Sequence, residues 1–327
     1  MNTSTPAGKG KGSADNPENL PGEIRALREQ VLELSARVTS LERATEQVDR
    51  GSQMLLSHQY RQLAANGVTL SFDEVGFRNY SQFEEDGILH YIFSLIGTGP
   101  MRSVEICAGT GYESNSANFI LNHNWYSLLV DGDKRNVKRG SEFFANHPST
   151  RYVGPKFLHH WIDRESVNEM LREAGFSGEI DLLVIDLDGV DYWIWDAITE
   201  VSPRVVCVEV MAQLGERSIT VPYASDFRAQ WIPLEKKDGI AGDGGREGSV
   251  FNLAFYGGAS LPAYVKLARQ KGYRLIGANR LGINAFFMRD DLGADHFPEV
   301  SWKDCVNENY DAEERRRIHE VLEDYAW

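Results

Sequence analysis

The stretch Val104-Glu105-Ile106-Cys107-Ala108-Gly109-Thr110-Gly111 decides the fold, read together with Asp131 further along the chain. The apolar run ahead of the Gly-x-Gly turn predicts a strand, and residues 113–121 suit a helix. A second apolar run, Ser127-Leu128-Leu129-Val130, predicts another strand that ends directly on Asp131. A strand, tight turn, helix and strand closing on a carboxylate is the layout that binds a nucleoside ribose in a Rossmann-like α/β sheet. The glycines let the backbone approach a ligand, and the carboxylate can accept hydrogen bonds from both ribose hydroxyls. Without a ligand, the same Gly-x-Gly is simply a tight strand-to-helix turn.

Two features bear on which nucleoside. A dinucleotide fingerprint carries a third glycine for close helix–strand packing, and that position is Ser114 here. An acid also stands four residues ahead of the first glycine, at Glu105. It would repel a pyrophosphate but suits the ammonium end of S-adenosylmethionine, which carries no phosphate. Further strands are expected at 180–185, 205–210, 273–276 and 285–288, the last two joined by a turn at Arg280-Leu281-Gly282. In the methyltransferase version of this fold the last strand returns antiparallel, whereas a dinucleotide-binding sheet stays parallel. Both features favour S-adenosylmethionine over NAD.

The chain has 327 residues, 42% apolar and 25% charged, room for one large α/β domain with extensions. A net charge of −14 argues against nucleic acid or an anionic membrane as the main partner. No apolar run is long enough to span a bilayer, and the first residues lack a secretory signal's charged start and apolar centre. Cys107, Cys207 and Cys305 are an odd set, two of them in expected buried strands, and read as reduced core thiols of a cytoplasmic protein.

Residues 1–19 read as a disordered tail and 20–50 as a coiled-coil helix. With Ile24, Val31 and Val38 at position a, Leu27, Leu34 and Leu41 fall at d, the pattern of a parallel two-stranded coiled coil. Glu23 and Arg37 at g lie five residues before Arg28 and Glu42 at e, their opposite-charge partners in an in-register homodimer. A solitary amphipathic helix is the other reading. Residues 51–102 form a helical prelude, 103–290 the α/β domain, and 291–327 an acidic, partly helical extension whose aromatic residues dock on the core. Between Lys236 and Gly248 five glycines and mixed charge suit either a lid or a plain surface loop.

Four stretches resemble the FkbM-like family of S-adenosylmethionine-dependent methyltransferases, many of which act on sugars or glycosylated products. They are Tyr80-Ser81-Gln82-x-x-Glu85-Asp86-Gly87; Glu105-x-x-Ala108-Gly109-x-Gly111; Asp181-Leu182-Leu183-x-Ile185-Asp186-x-Asp188-Gly189; and Asn284-Ala285-Phe286-Phe287-Met288-Arg289. The resemblance covers roughly residues 78–290. The family commonly shows Lys-Ile-Asp-x-Glu-Gly at the third stretch, where this chain has Val184 and Asp188, so no role of that lysine carries over. It implies a cofactor site built from Glu105, Ala108, Gly109, Thr110, Gly111, Asp131, Gly132 and Asp186. Glu105, Gly109 and Gly111 would hold the methionine portion, and Asp131 the ribose.

Methyl transfer to a hydroxyl needs in-line alignment and removal of a proton. A general base or a divalent cation can manage that proton. Asp186, Asp188 and Asp191 lie in or just after the fourth expected strand and Glu209 near the end of the fifth. Clustered oxygen ligands suit Mg²⁺ or Ca²⁺, and Asp186, Asp188 and Glu209 are the candidate metal ligands. The alternative has Asp186 touching cofactor or backbone while Asp188 and Asp191 cap the next helix. Candidate catalytic groups are Asp188 and His160 of the pair His159-His160. Trp161 suits either adenine stacking or the core. Tyr192, Trp193 and Trp195 suit either a sugar face or one turn of helix core. The stretch Ile219-Thr220-Val221-Pro222-Tyr223 is expected to line the acceptor side. The expected activity is O-methylation of a saccharide or glycosylated acceptor. A cofactor-binding scaffold and an NAD-linked sugar oxidoreductase or epimerase are the other two readings.

Overall fold

The computed structural model describes residues 48–234, 253–306, 312–323 and 325–327. The heptads at 24–41 and the loop at 236–248 lie outside the described residues. In chain order the strands are β1 (Arg102–Ile106), β2 (Tyr126–Asp131), β3 (Lys156–His159), β4 (Gly178–Ile185), β5 (Val201–Glu209), β6 (Gln230–Pro233), β7 (Leu253–Tyr256), β8 (Tyr273–Ala278) and β9 (Asn284–Arg289). The helices are α1 (Arg50–Ala65), α2 (Phe72–Val75), α3 (Glu85–Ile96), α4 (Ala117–His123), α5 (Lys134–Asn146), α6 (Val167–Glu173), α7 (Asp191–Ala197), α8 (Leu261–Lys271) and α9 (Ala312–Leu322).

The unbroken apolar runs make a sheet buried on both faces. Along β4, Leu183 and Ile185 join Val104, Ile106 and Val208 under α6, α7 and α8. Their neighbours Leu182 and Val184 point the other way, joining Val205, Cys207 and Phe286 beneath α1 and α3. Each such side chain, fully buried, contributes about 1.5–3 kcal/mol. One seven-stranded sheet results, in the order β3-β2-β1-β4-β5-β9-β8, with β6 and β7 forming a separate hairpin. Strands β1 to β5 are parallel, and β9 runs antiparallel to both β5 and β8. This is the Rossmann-like α/β architecture with the antiparallel closing strand that the sequence led us to expect. The order reverses between β1 and β4, which opens a crevice beyond their carboxyl ends, where open α/β sheets bind ligands.

The prelude is fastened by its own motif. Asp86 Oδ2 accepts from the backbone N–H of Asn79, Tyr80 and Ser81 and from Ser81 Oγ, wrapping residues 79–81 around one carboxylate. A Cβ on Gly87 would stand 2.2 Å from Phe77 N and 2.3 Å from Val75 O, so only glycine fits there. Glu85 Oε1 accepts from Asn279 and Asn284, tying the prelude to the β8–β9 hairpin. At the other end, Tyr325 packs tilted and Trp327 edge-on against Tyr256 of β7, the docking expected of the tail.

Helix α4 starts later than expected, at Ala117 instead of residue 113. The Glu105 carboxylate takes the N–H groups of Asn115 and Ser116, holding 112–116 as a turn before the helix begins. Among the described residues no helix is long and apolar enough to cross a membrane.

Candidate functional site

The turn after β1 uses left-handed backbone at every second residue: φ is +64° at Cys107, +55° at Gly109 and +73° at Gly111. A non-glycine residue is rarely found there, and Cys107 holds that conformation at a cost. The two glycines do different work. Around Gly109 a Cβ would meet nothing within 4 Å, so this backbone is open to a ligand. At Gly111 a Cβ would stand 2.7 Å from Leu129 Cδ1 and 2.8 Å from Phe157 Cζ. The close-packing role that sequence reasoning looked for at Ser114 therefore belongs to Gly111. Ser114 is buried and donates its hydroxyl to Gly111 O at 2.8 Å.

Asp131, at the end of β2, faces this turn. Its Oδ2 accepts from Gly109 N at 2.8 Å, and Oδ1 accepts from Asp133 N at 2.8 Å and Asn136 Nδ2 at 3.1 Å. Three donors leave room on roughly four lone-pair sites for one more. Glu105 lies behind the turn, buried, each oxygen on one backbone N–H. Burial pushes its pKa up to about 7.

Asp131 and Gly132 open into a cleft of about 380 Å³, also lined by Cys107, Asn136, His160, Trp161, Asp188 and Arg228. Cys107 lies open to this cleft rather than in the core, which corrects its reading as a buried strand thiol. Its recess and the carboxylates of Asp131 and Asp186 push the thiol pKa up, keeping it protonated. Trp161 is likewise no core residue: it is 49% exposed. Its Nε1 donates to Ser225 O at 2.8 Å, and the Arg228 guanidinium lies 4.0 Å from the ring centroid. His160 contributes to the cleft wall, with Nε2 3.2 Å from Ser166 Oγ. His159 is exposed beside Gly132 O.

Across the crevice Asp186 and Asp188 follow β4 and Glu209 ends β5. One carboxylate oxygen from each lies within 4.8 Å of the others. Burial, then Asp191 and Asp188, raises the pKa of Asp186, and burial, then Asp186, raises that of Glu209 well above the carboxylate range. Each carboxylate makes the other harder to ionise. Burial also raises Asp188, although its side chain is the most open of the three. Asp188 sits at φ +55°. Asp191 holds that turn by accepting from Leu187 N at 2.6 Å and Gly189 N at 2.9 Å. The alternative in which Asp188 and Asp191 cap the next helix does not hold, since both Asp191 oxygens point back into the turn. Trp195 is buried, and Tyr192 and Trp193 pack against the same core, so the helix-core reading of that trio holds.

The stretch 219–223 does not line the cleft. Val221 is buried, and the Tyr223 hydroxyl is taken up by Glu165 Oε2 and Arg164 N. Residues 225–229, just beyond it, supply the lining instead. Nothing in that short stretch marks it as a cleft wall.

No protein-family model matches the sequence, and no curated protein is similar to it at a significant level. Among solved structures, the glycopeptide N-methyltransferase MtfA in complex with S-adenosyl-L-methionine matches at 9% identity, covering 62% of this chain and 85% of its own, with a TM-score of 0.36. A S-adenosylmethionine-dependent methyltransferase from Clostridium acetobutylicum matches at 10% identity, covering 72% and 97%, with a TM-score of 0.38. At these values the likeness is too slight to bear on function.

Proposed function

We propose that the chain is a S-adenosylmethionine-dependent O-methyltransferase acting on a hydroxyl of a saccharide or glycosylated acceptor. The observation that carries the reading is the charge of the cleft. Arg228 is the one permanent cation among its described lining residues, against the carboxylates of Asp131 and Asp188, while Asp133 is paired with Arg135. Such a wall repels a pyrophosphate and attracts a nucleoside bearing positive charge. NAD fits it poorly. The acceptor class rests on the resemblance of the sequence motifs to FkbM-like enzymes.

S-adenosylmethionine, when bound, supplies an electrophilic methyl group on a sulfonium. In this reading Asp131 orients one ribose hydroxyl through its remaining lone pair, beside Gly132. The open backbone of Gly109, with Ala108 and Thr110, admits the methionine portion, while Gly111 keeps the turn pressed onto β2. Glu105 adds its charge from behind, and a cation at the turn draws its proton off. Asp188, the most open carboxylate of the cluster, takes the proton of the acceptor hydroxyl. His160, at the cleft wall, is the second candidate for that proton.

Three carboxylates gathered this closely form a hard oxygen donor set that fits Mg²⁺. Glu209 Oε2 has no hydrogen-bond partner among the described residues, which leaves it available as a ligand atom. A divalent cation held by Asp186, Asp188 and Glu209 would lower the pKa of the acceptor hydroxyl. The heptads at 24–41 add a parallel homodimer, and the three unpaired cysteines suit the cytoplasm.

The test is transfer of a labelled methyl group from S-adenosylmethionine to a panel of glycosides and oligosaccharides, with chelator-treated protein and with Mg²⁺ restored. Label on a sugar oxygen is expected. Label on a nitrogen, or only on acceptors without sugar, would overturn the acceptor assignment.

A further inference from the structure

Trp161 stands between two parts of the cleft that the sequence keeps far apart. A Cβ on Gly132 would lie 3.0 Å from Trp161 Cε3, so the indole rests on the backbone next to Asp131. The same indole donates to Ser225 O at 2.8 Å and carries the Arg228 guanidinium at 4.0 Å. Both partners belong to residues 225–229, in the connection between β5 and β6. That connection reaches the other end of the cleft as well. Phe227 packs onto Gly189, where a Cβ would stand 2.8 Å from Phe227 Cδ1, and Gly189 directly follows Asp188. Gly258 N donates to Gly189 O at 2.9 Å, and a Cβ on Gly257 would meet Asp188 O at 2.9 Å and Ala229 Cβ at 3.1 Å. The contacts from Gly132 through Trp161 and residues 225–229 to Asp188 are continuous. Glycines along that path leave no slack for either side to shift alone.

We propose that Trp161 is a positioning residue that couples the nucleoside end of the cleft to the segment 225–229 and, through it, to the Asp188 turn. The inference rests on the cofactor reading given above. A nucleoside held by Asp131 must meet the indole that lies on Gly132. Whatever fixes the indole also fixes Ser225 and Arg228, and Phe227 passes that constraint to Gly189. Cofactor occupancy thereby orders the wall against which the acceptor binds, which makes the cofactor the leading substrate in an ordered sequence.

The experiment is amide hydrogen exchange on the full chain with and without saturating S-adenosylhomocysteine, beside calorimetry. In the wild type, bound S-adenosylhomocysteine is expected to slow exchange across 225–229 and 187–190 about tenfold, as well as at 108–111 and 131–133. Trp161→Phe keeps a ring on Gly132 but removes the donor to Ser225. Its slowing across 225–229 should fall below about threefold while S-adenosylhomocysteine still binds. Arg228→Gln removes the cation over Trp161 together with its bonds to Asp226 O and Phe227 O, and should give a smaller loss of the same kind. Binding with no slowing at 225–229, or slowing that survives Trp161→Phe intact, would overturn the inference alone. Absence of S-adenosylhomocysteine binding would overturn the cofactor reading and the inference with it.

Discussion

Replacing Asp131 by asparagine keeps the shape of the side chain and removes its charge. In the native protein the two oxygens serve Gly109 N, Asp133 N and Asn136 Nδ2, at 2.8 to 3.1 Å. Asparagine has one oxygen, and its NH₂ must face one of the two backbone N–H groups, whichever way the amide is turned. Leaving that buried donor unpaired costs about 1–3 kcal/mol of stability. A ribose hydroxyl would also lose a charged acceptor, a loss of about 1.5–3 kcal/mol, so Kd for S-adenosylhomocysteine should rise roughly 10- to 150-fold. Calorimetry reads the affinity and urea unfolding reads the stability, on the same preparation. Asp133→Asn is the control: Asp133 forms a salt bridge with exposed Arg135, and its loss should leave Kd within about twofold. If Asp131→Asn lowers the urea midpoint but leaves Kd unchanged, Asp131 only braces the turn and the ribose assignment is wrong.

Asp188→Asn, which tolerates the left-handed backbone at this position, should reduce methyl transfer at least about 100-fold with S-adenosylhomocysteine affinity near wild type; retained turnover in the labelled assay removes Asp188 from the chemistry. Cys107→Gly relieves a φ of +64° at a side chain open to the cleft and should stabilise the protein by about 1 kcal/mol. A lower urea midpoint would show that the thiol packs usefully. The pH dependence has a definite sign. Burial raises Glu105 from 4.5 to about 7 and Asp86 from 3.8 to about 6, so the folded state holds these protons more tightly than the unfolded chain. Their contribution, about 3 kcal/mol each, is complete below pH 4 and is lost as the pH rises through about 6 and 7. The urea midpoint of the ligand-free protein should therefore fall between pH 5.5 and pH 8, and Glu105→Gln should flatten that slope; a rising midpoint contradicts the assignment.

The sheet was legible because each core strand is an apolar run with both faces buried, and Asp131 and Gly109 stood out because they interrupt those runs. The left-handed turn was read incompletely. Its third member is Cys107, and the alternation Cys107, Gly109, Gly111 was available in the sequence as three small residues at every second position. Trp161 was harder, since a lone tryptophan is most often core, and its exposure follows from Ile162 taking the buried place beside it. Asp191 reads as a helix cap from its position alone, yet it is drawn back to Leu187 and Gly189 because the positive φ at Asp188 turns those amides inward. The role of residues 225–229 depends on contacts with Trp161 and Gly189, distant in the chain, and no local pattern encodes them.

The central claim is that this cleft binds S-adenosylmethionine, and titration of the purified chain with S-adenosylhomocysteine by calorimetry tests it most directly. NAD⁺ is titrated in parallel, each with chelator-treated protein and with Mg²⁺ restored. The account predicts micromolar binding of S-adenosylhomocysteine and none of NAD⁺. Binding of NAD⁺ instead, or of neither by folded protein, would contradict it.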